Sequence, residues 1–169
     1  MTLMGNNAGA EIWVFGDLRS KRLFGSCLNV LAKARQLAGS MSGKAAVVLI
    51  GSSADVQRDS TRGVQASLSV SSAAEECIAH GADYVYIFDN EKLVIPRADT
   101  YAAVLANAVL RRGPTLVLFP VTDFGRDLAA RSARINNAGL IAQCMDLKVD
   151  GDRVVAKCHS WDGEIMADI

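Results

Sequence analysis

The sequence predicts an α/β fold, a three-layer sandwich with a mostly parallel sheet followed by a C-terminal antiparallel hairpin. Three observations predict it. Short apolar runs alternate with stretches of helical period up to residue 143, which is how successive βα units read. The first runs, residues 11–15 (EIWVF) and 44–50 (KAAVVLI), are apolar at odd and even positions alike, as strands covered on both faces are. Beyond Gln143 the pattern becomes residues 145–149, then Asp150-Gly151-Asp152, then residues 153–158. Asp-Gly between apolar runs is a strong hairpin signal.

The elements follow in order. Residues 1–10 carry no apolar core and read as a disordered start or a cloning remnant; residues 11–169 read as one domain. The first strand stops at Gly16-Asp17. Cys27, Val30, Leu31, Ala34, Leu37 and Ala38 then recur at helical spacing, with Gly39 as the stop. The second strand ends at Gly51. Residues 52–71 are Ser-rich, nearly aperiodic and long for a βα connection; a surface insertion, a loop over a cleft and an inter-subunit contact all fit. Ser72 and Glu75 form a capping box, opening a helix with Ala74, Cys77 and Ile78 on its apolar face and Gly81 at its close. Residues 83–88 (DYVYIF) are the third strand and residues 90–98 a loop. Asp99 caps a helix carrying Tyr101, Val104, Leu105 and Ala108, which Gly113-Pro114 ends.

The stretch from Pro114 to Gln143 organises the rest. Residues 115–119 form a strand ended by Pro120, residues 121–125 a tight polar loop, and residues 126–137 a helix opened by Thr122 or Asp123. A further apolar run after Gly139 completes a strand–loop–helix–strand unit. Loops at the carboxyl ends of parallel strands are where this architecture places its working surface, and the helix aims free N–H groups at that loop. Thr122, Asp123, Phe124, Gly125, Arg126 and Asp127 are therefore the candidate loop, facing a partner or a nucleotide. Read more plainly, the same residues are an Asp-capped helix start with an i,i+4 Asp127–Arg131 pair. Gly125, at a strand-to-helix turn, implies either positive φ or close backbone approach.

Composition narrows the function. Eighteen Lys and Arg balance 18 Asp and Glu, which offers no broad nucleic-acid surface. No apolar run approaches a membrane span. Four separated cysteines without a C-x-x-C pair, and two isolated histidines, read as reduced thiols in a reducing, cytoplasmic setting rather than a disulfide or metal site. After the first strand comes GDLRSKRLFG, not a G-x-G-x-x-G turn. No Walker A sequence, G-x-S-x-G elbow or stress-protein ATP motif is present. The sequence argues against a self-sufficient nucleotide site and against an enzyme; no catalytic set is assigned.

Four collinear passages carry a resemblance: IWVFGD; AHGADYVYIFD; PTLVLFPVTDFGRDLAARSARINNAGLIAQCMDLKVDGDRVV; and CHSWDGEIMADI. The run from Gly125 to Arg131 is the most specific part. The chain resembles the N-terminal domain of the electron transfer flavoprotein alpha subunit. That resemblance implies an adenine-nucleotide-hydrolase-like, Rossmann-like sandwich pairing with a beta subunit of similar fold. It implies AMP or a second FAD in the beta subunit, and the electron-carrying FAD mainly in a C-terminal alpha domain that this chain lacks. No cofactor is then expected in this chain alone. The implied role is a fixed platform in an electron carrier between a flavin dehydrogenase, such as an acyl-CoA dehydrogenase, and a downstream acceptor. It leaves self-pairing of the isolated domain open. The long 52–71 loop and Trp161-Asp162-Gly163-Glu164, where the family usually has a Gly-Gly pair, fit a pathway-specific member. The alternative is a stand-alone nucleotide-binding module of universal-stress-protein type.

Overall fold

The computed structural model describes residues 9–19, 25–53, 70–151, 153–160 and 165–168. Four parallel strands form the central sheet: β1 (Glu11–Gly16), β2 (Lys44–Gly51), β3 (Tyr84–Asp89) and β4 (Leu116–Leu118), in the order β3-β2-β1-β4. Helices α1 (Gly25–Ser40), α2 (Val70–Ala79), α3 (Ala98–Arg112) and α4 (Asp123–Asn136) connect or follow these strands. Alternation along the strands sorts side chains into two cores. Ile12, Val14, Val47 and Leu49 face α1 and α2, with Leu31, Leu37, Ala73 and Cys77. Trp13, Phe15, Val48 and Ile50 face α3 and α4, with Tyr101, Leu105 and Leu128. This is the expected three-layer sandwich, and the doubly apolar first two strands are its fully covered centre.

The tail is antiparallel as expected: β5 (Cys144–Asp150), β6 (Arg153–Ser160) and β7 (Ile165–Asp168) form a separate sheet. Gly151, at φ +62°, makes the expected Asp-Gly turn between β5 and β6. Leu147 and Val149 lean on the core beneath α1, and Lys33 of α1 pairs with Asp146 at 2.7 Å. Among the described residues no helix is long and apolar enough to cross a membrane.

Four local expectations are corrected. The apolar run after Gly139 is not a strand of the parallel unit. Asn137, in left-handed conformation, closes α4, with the Ala138 N–H donating to the Ala133 carbonyl at 2.9 Å. Leu140 and Ile141 then stay exposed, and the chain re-enters a strand only at Cys144, in the other sheet. The Ser72–Glu75 capping box lies inside α2, which already runs from Val70. That helix buries Val70, Ala73 and Cys77, while Ile78 is exposed; an i, i+3, i+7 stripe starting at Val70 rotates the buried face away from Ile78. The residue preceding α3 is Arg97, without a side-chain cap; Asp99 sits within the first turn and pairs with Arg97 and the Thr100 N–H. Helix α4 starts three residues earlier than expected, at Asp123. Residues 54–69 of the Ser-rich loop, and the Trp161-Asp162-Gly163-Glu164 stretch, lie outside the described residues.

Candidate functional site at the switch point of the sheet

In the order β3-β2-β1-β4 the chain leaves β1 in opposite directions, so the crevice of this architecture opens between the carboxyl ends of β1 and β4. The residues there come from two loops, Asp17 to Arg19 after β1 and Phe119 to Thr122 after β4. Pro120 lacks an N–H and ends the pairing after three residues of strand. Its carbonyl accepts the Thr122 N–H at 2.8 Å, a tight i,i+2 turn. Thr122 is then extended (φ −121°, ψ 159°), and its Oγ1 accepts the Gly125 N–H at 2.9 Å, the N-cap of α4.

The same Thr122 hydroxyl donates to Asp17 Oδ2 at 3.2 Å. Asp17 is 0% exposed, one of two buried polar or charged side chains among the described residues. Its carboxylate accepts from Arg19 Nε at 2.9 Å, from Arg19 Nη2 at 2.7 Å and from the Arg19 N–H at 3.2 Å. A buried carboxylate is tolerable only with such partners. The Arg19 guanidinium is raised above its ordinary range, first by the hydrogen bond to Asp17, against the opposing effect of burial, and further by the charges of Asp17 and Asp123. It lies 4.5 Å above the Phe124 ring. Phe124 in turn meets Tyr101 edge-on at 5.7 Å and Phe15 at 6.2 Å, and the Tyr101 hydroxyl donates to the Leu93 carbonyl at 2.8 Å.

The six candidate residues thus divide between two directions. Thr122, Phe124 and Gly125 turn inward and tie α4 to β1. Gly125 is buried in the first turn of α4, and a Cβ there would collide with the Pro120 carbonyl oxygen. Close approach, not positive φ, is what this glycine supplies. Asp123, Arg126 and Asp127 face outward: Asp123 pairs with Arg126 at 2.5 Å and Asp127 with Arg131 at 2.7 Å. Beside them Val121 is 75% exposed. Asp17 and Arg19 were not singled out from the sequence. The only signal was an acidic residue directly after the first strand, which also marks an ordinary turn.

Between Asp17, Arg19, Gly51, Val70, Leu93 and Tyr101 there is a hollow of about 20 Å³, room for about one water. Arg19, paired with Asp17 and stacked on Phe124, is one of its lining residues. The geometry defines an α/β domain with a parallel sheet in the order β3-β2-β1-β4, whose β1 and β4 loops are tied together through Asp17 and Thr122.

The chain belongs to the electron transfer flavoprotein domain family, which it matches over residues 12–169. It is 29% identical over 160 residues to the electron transfer flavoprotein subunit alpha of Thermoanaerobacterium thermosaccharolyticum, covering 94% of this chain and 44% of that protein. It is 31% identical over 160 residues to the same subunit of Megasphaera elsdenii, covering 94% and 43%. It is 30% identical over 149 residues to the acryloyl-CoA reductase electron transfer subunit beta of Anaerotignum propionicum, covering 88% and 36%. The chain therefore spans less than half the length of these relatives. A solved universal stress protein in complex with cAMP overlays with a TM-score of 0.43 at 15% identity, covering 80% of this chain and 96% of that one. An overlay at that level carries no argument about function.

Proposed function

We propose that this chain is the platform domain of an electron transfer flavoprotein alpha subunit, with residues 11–169 forming the N-terminal α/β domain. It docks the beta subunit and has no catalytic site of its own. In the intact protein FAD is held mainly outside these residues, and AMP or a second FAD belongs to the beta subunit. The assembly carries electrons in the cytoplasm from a flavin dehydrogenase to a downstream acceptor.

One observation carries the reading: the family match spans residues 12–169, from β1 through the antiparallel sheet. Surface chemistry supports it. The outward side of the 121–127 loop offers apolar Val121 beside paired charges. Ile135, Leu140, Ile141 and Met145 are also exposed, and among the described residues β4 has no strand on its outer edge. Exposed apolar side chains and an open edge are features that partners cover.

Co-expression with the beta subunit of the same organism tests the proposal. The expected result is a stable complex on size exclusion, with the isolated chain colourless and blind to AMP by calorimetry. Stoichiometric flavin on the isolated chain would overturn it. Micromolar AMP binding by the chain alone would favour a stand-alone nucleotide module.

A further inference from the structure

Cys144 and Cys158 stand directly opposite each other where β5 pairs with β6. Opposed residues of an antiparallel ladder have Cα atoms about 4.5–5.5 Å apart and Cβ atoms on one face. A disulfide takes Cα separations of about 4.4–6.8 Å, a range that covers facing positions of an antiparallel ladder. Both are free thiols. The two are unequal: Cys158 is buried, whereas Cys144 is partly exposed and its thiol donates to the Asp146 carbonyl at 3.0 Å. The ladder is also irregular between Cys144 and Asp146, which gives the Cys144 end of the hairpin freedom to adjust.

The remaining cysteines serve as an internal contrast. Cys27 and Cys77 are buried in the core beneath α1 and α2, and burial, ahead of the neighbouring Cys27, pushes the Cys77 thiol up to about 12. Neither offers a sulfur to solvent. Burial also raises the Cys144 thiol, with Cys158 adding to the rise.

We propose that Cys144 and Cys158 form an oxidisable dithiol, closing into a reversible cross-strand disulfide when the protein meets a peroxide. Cys144, the accessible sulfur, attacks one peroxide oxygen as its thiolate. The O–O bond breaks, leaving Cys144 as a sulfenic acid and releasing hydroxide, which takes up the thiol's proton as water. Cys158 then attacks the Cys144 sulfur. The S–O bond breaks, the S–S bond forms, and a second water leaves with the Cys158 proton. Two thiols are oxidised by two electrons, and the peroxide is reduced to two waters. A small dithiol reductant reverses the step by exchange. The bridge would clamp the open end of the hairpin, just before Asp146 and Leu147, the residues that seat it on α1.

Peptide mapping of the full chain tests this. The protein is treated with hydrogen peroxide, its free thiols are blocked with N-ethylmaleimide, and it is unfolded and digested. The expected result is one linked peptide joining Cys144 to Cys158, with Cys27 and Cys77 unlinked and the link lost in dithiothreitol. Hydrogen exchange of the amides between the two cysteines should slow severalfold in the oxidised form. In Cys158→Ser, Cys144 should instead be trapped as a sulfenic acid by dimedone. Should that variant fail to fold, the wild-type map decides alone. Sulfinic Cys144 beside an untouched Cys158 thiol, or linkage only between separate copies, would overturn the proposal.

Discussion

Replacing Gly125 by alanine tests how α4 is fastened to the sheet. The added Cβ would strike the Pro120 carbonyl oxygen and come within 3.0 Å of Thr122 Oγ1. That carbonyl accepts the Thr122 N–H, and that hydroxyl accepts the Gly125 N–H. One methyl group therefore disturbs the turn, the cap and the link to Asp17 together. Overpacking of this kind costs about 1–3 kcal/mol. Loss of a Thr N-cap costs about 1 kcal/mol, and alanine returns up to about 1 kcal/mol of helix propensity. The net loss is roughly 1–3 kcal/mol. With a urea m-value near 2 kcal/mol/M, the midpoint should fall by about 0.5–1.5 M with m unchanged. Asp123→Ala is the control: that side chain is 94% exposed, so its midpoint should not move resolvably. Thr122→Ala should account for part of the Gly125 effect, and the double variant should fall short of the sum because both act on one cap. A Gly125→Ala midpoint indistinguishable from wild type would refute the account of the fastening.

Other perturbations separate the remaining contributions. Asp17→Ala leaves Arg19 without its carboxylate and the Thr122 hydroxyl without its acceptor; a loss of about 1–3 kcal/mol in urea unfolding is expected, and an unchanged midpoint would mean the buried charge does not fasten β1 to α4. Gly81→Ala should cost roughly 1–2 kcal/mol, because Gly81 sits at φ +93° with the Arg35 guanidinium against it; thermal or urea unfolding reads it. Asp83 is held below its ordinary pKa of 3.8 chiefly by the Ala45 N–H, and also by Lys44. A depressed carboxylate stabilises the fold above its unfolded pKa and loses that contribution as pH falls through its folded value. Asp83→Asn should therefore flatten the decline in urea midpoint below about pH 3.8, and an unaltered acid limb would contradict the assignment.

What could be read from the sequence was local chemistry. A threonine before an apolar periodicity is a cap wherever it sits, and Thr122 caps α4. Strands apolar at every position must be covered on both sides, and β1 and β2 are. Gly113 past a helix end takes the left-handed conformation because its neighbours cannot do so cheaply. What could not be read was set by distant pairing. Asp17 is buried because β4 lies beside β1, although about 100 residues separate the two loops; one aspartate after a strand looks the same exposed or buried. Leu140 and Ile141 are apolar enough for a strand, but Asn137 turns the chain out of α4 in the left-handed conformation and it enters the other sheet only at Cys144. In α2 the Ser72–Glu75 capping box points to a later start than the true one, because the buried stripe begins at Val70.

These two kinds of information meet in the 121–127 loop, and their meeting bears on what the loop can do. Its inward residues are committed: Thr122 to Asp17 and Gly125, Phe124 to Arg19 and Tyr101. A loop committed in this way cannot close over a ligand in the crevice without breaking a buried charge–hydroxyl link. Its outward residues are then presented on a rigid base, which lowers the ordering cost of docking. A helix N-terminus can hold an anion on its free N–H groups, but here the Gly125 N–H is given to Thr122 Oγ1. A surface fixed from behind by β1 is suited to hold a partner in one orientation. If the proposed docking of the beta subunit holds, Asp17→Ala should weaken it on size exclusion by loosening the base of the loop, whereas the exposed Asp127→Ala should leave it unchanged; equal effects of the two would refute this account.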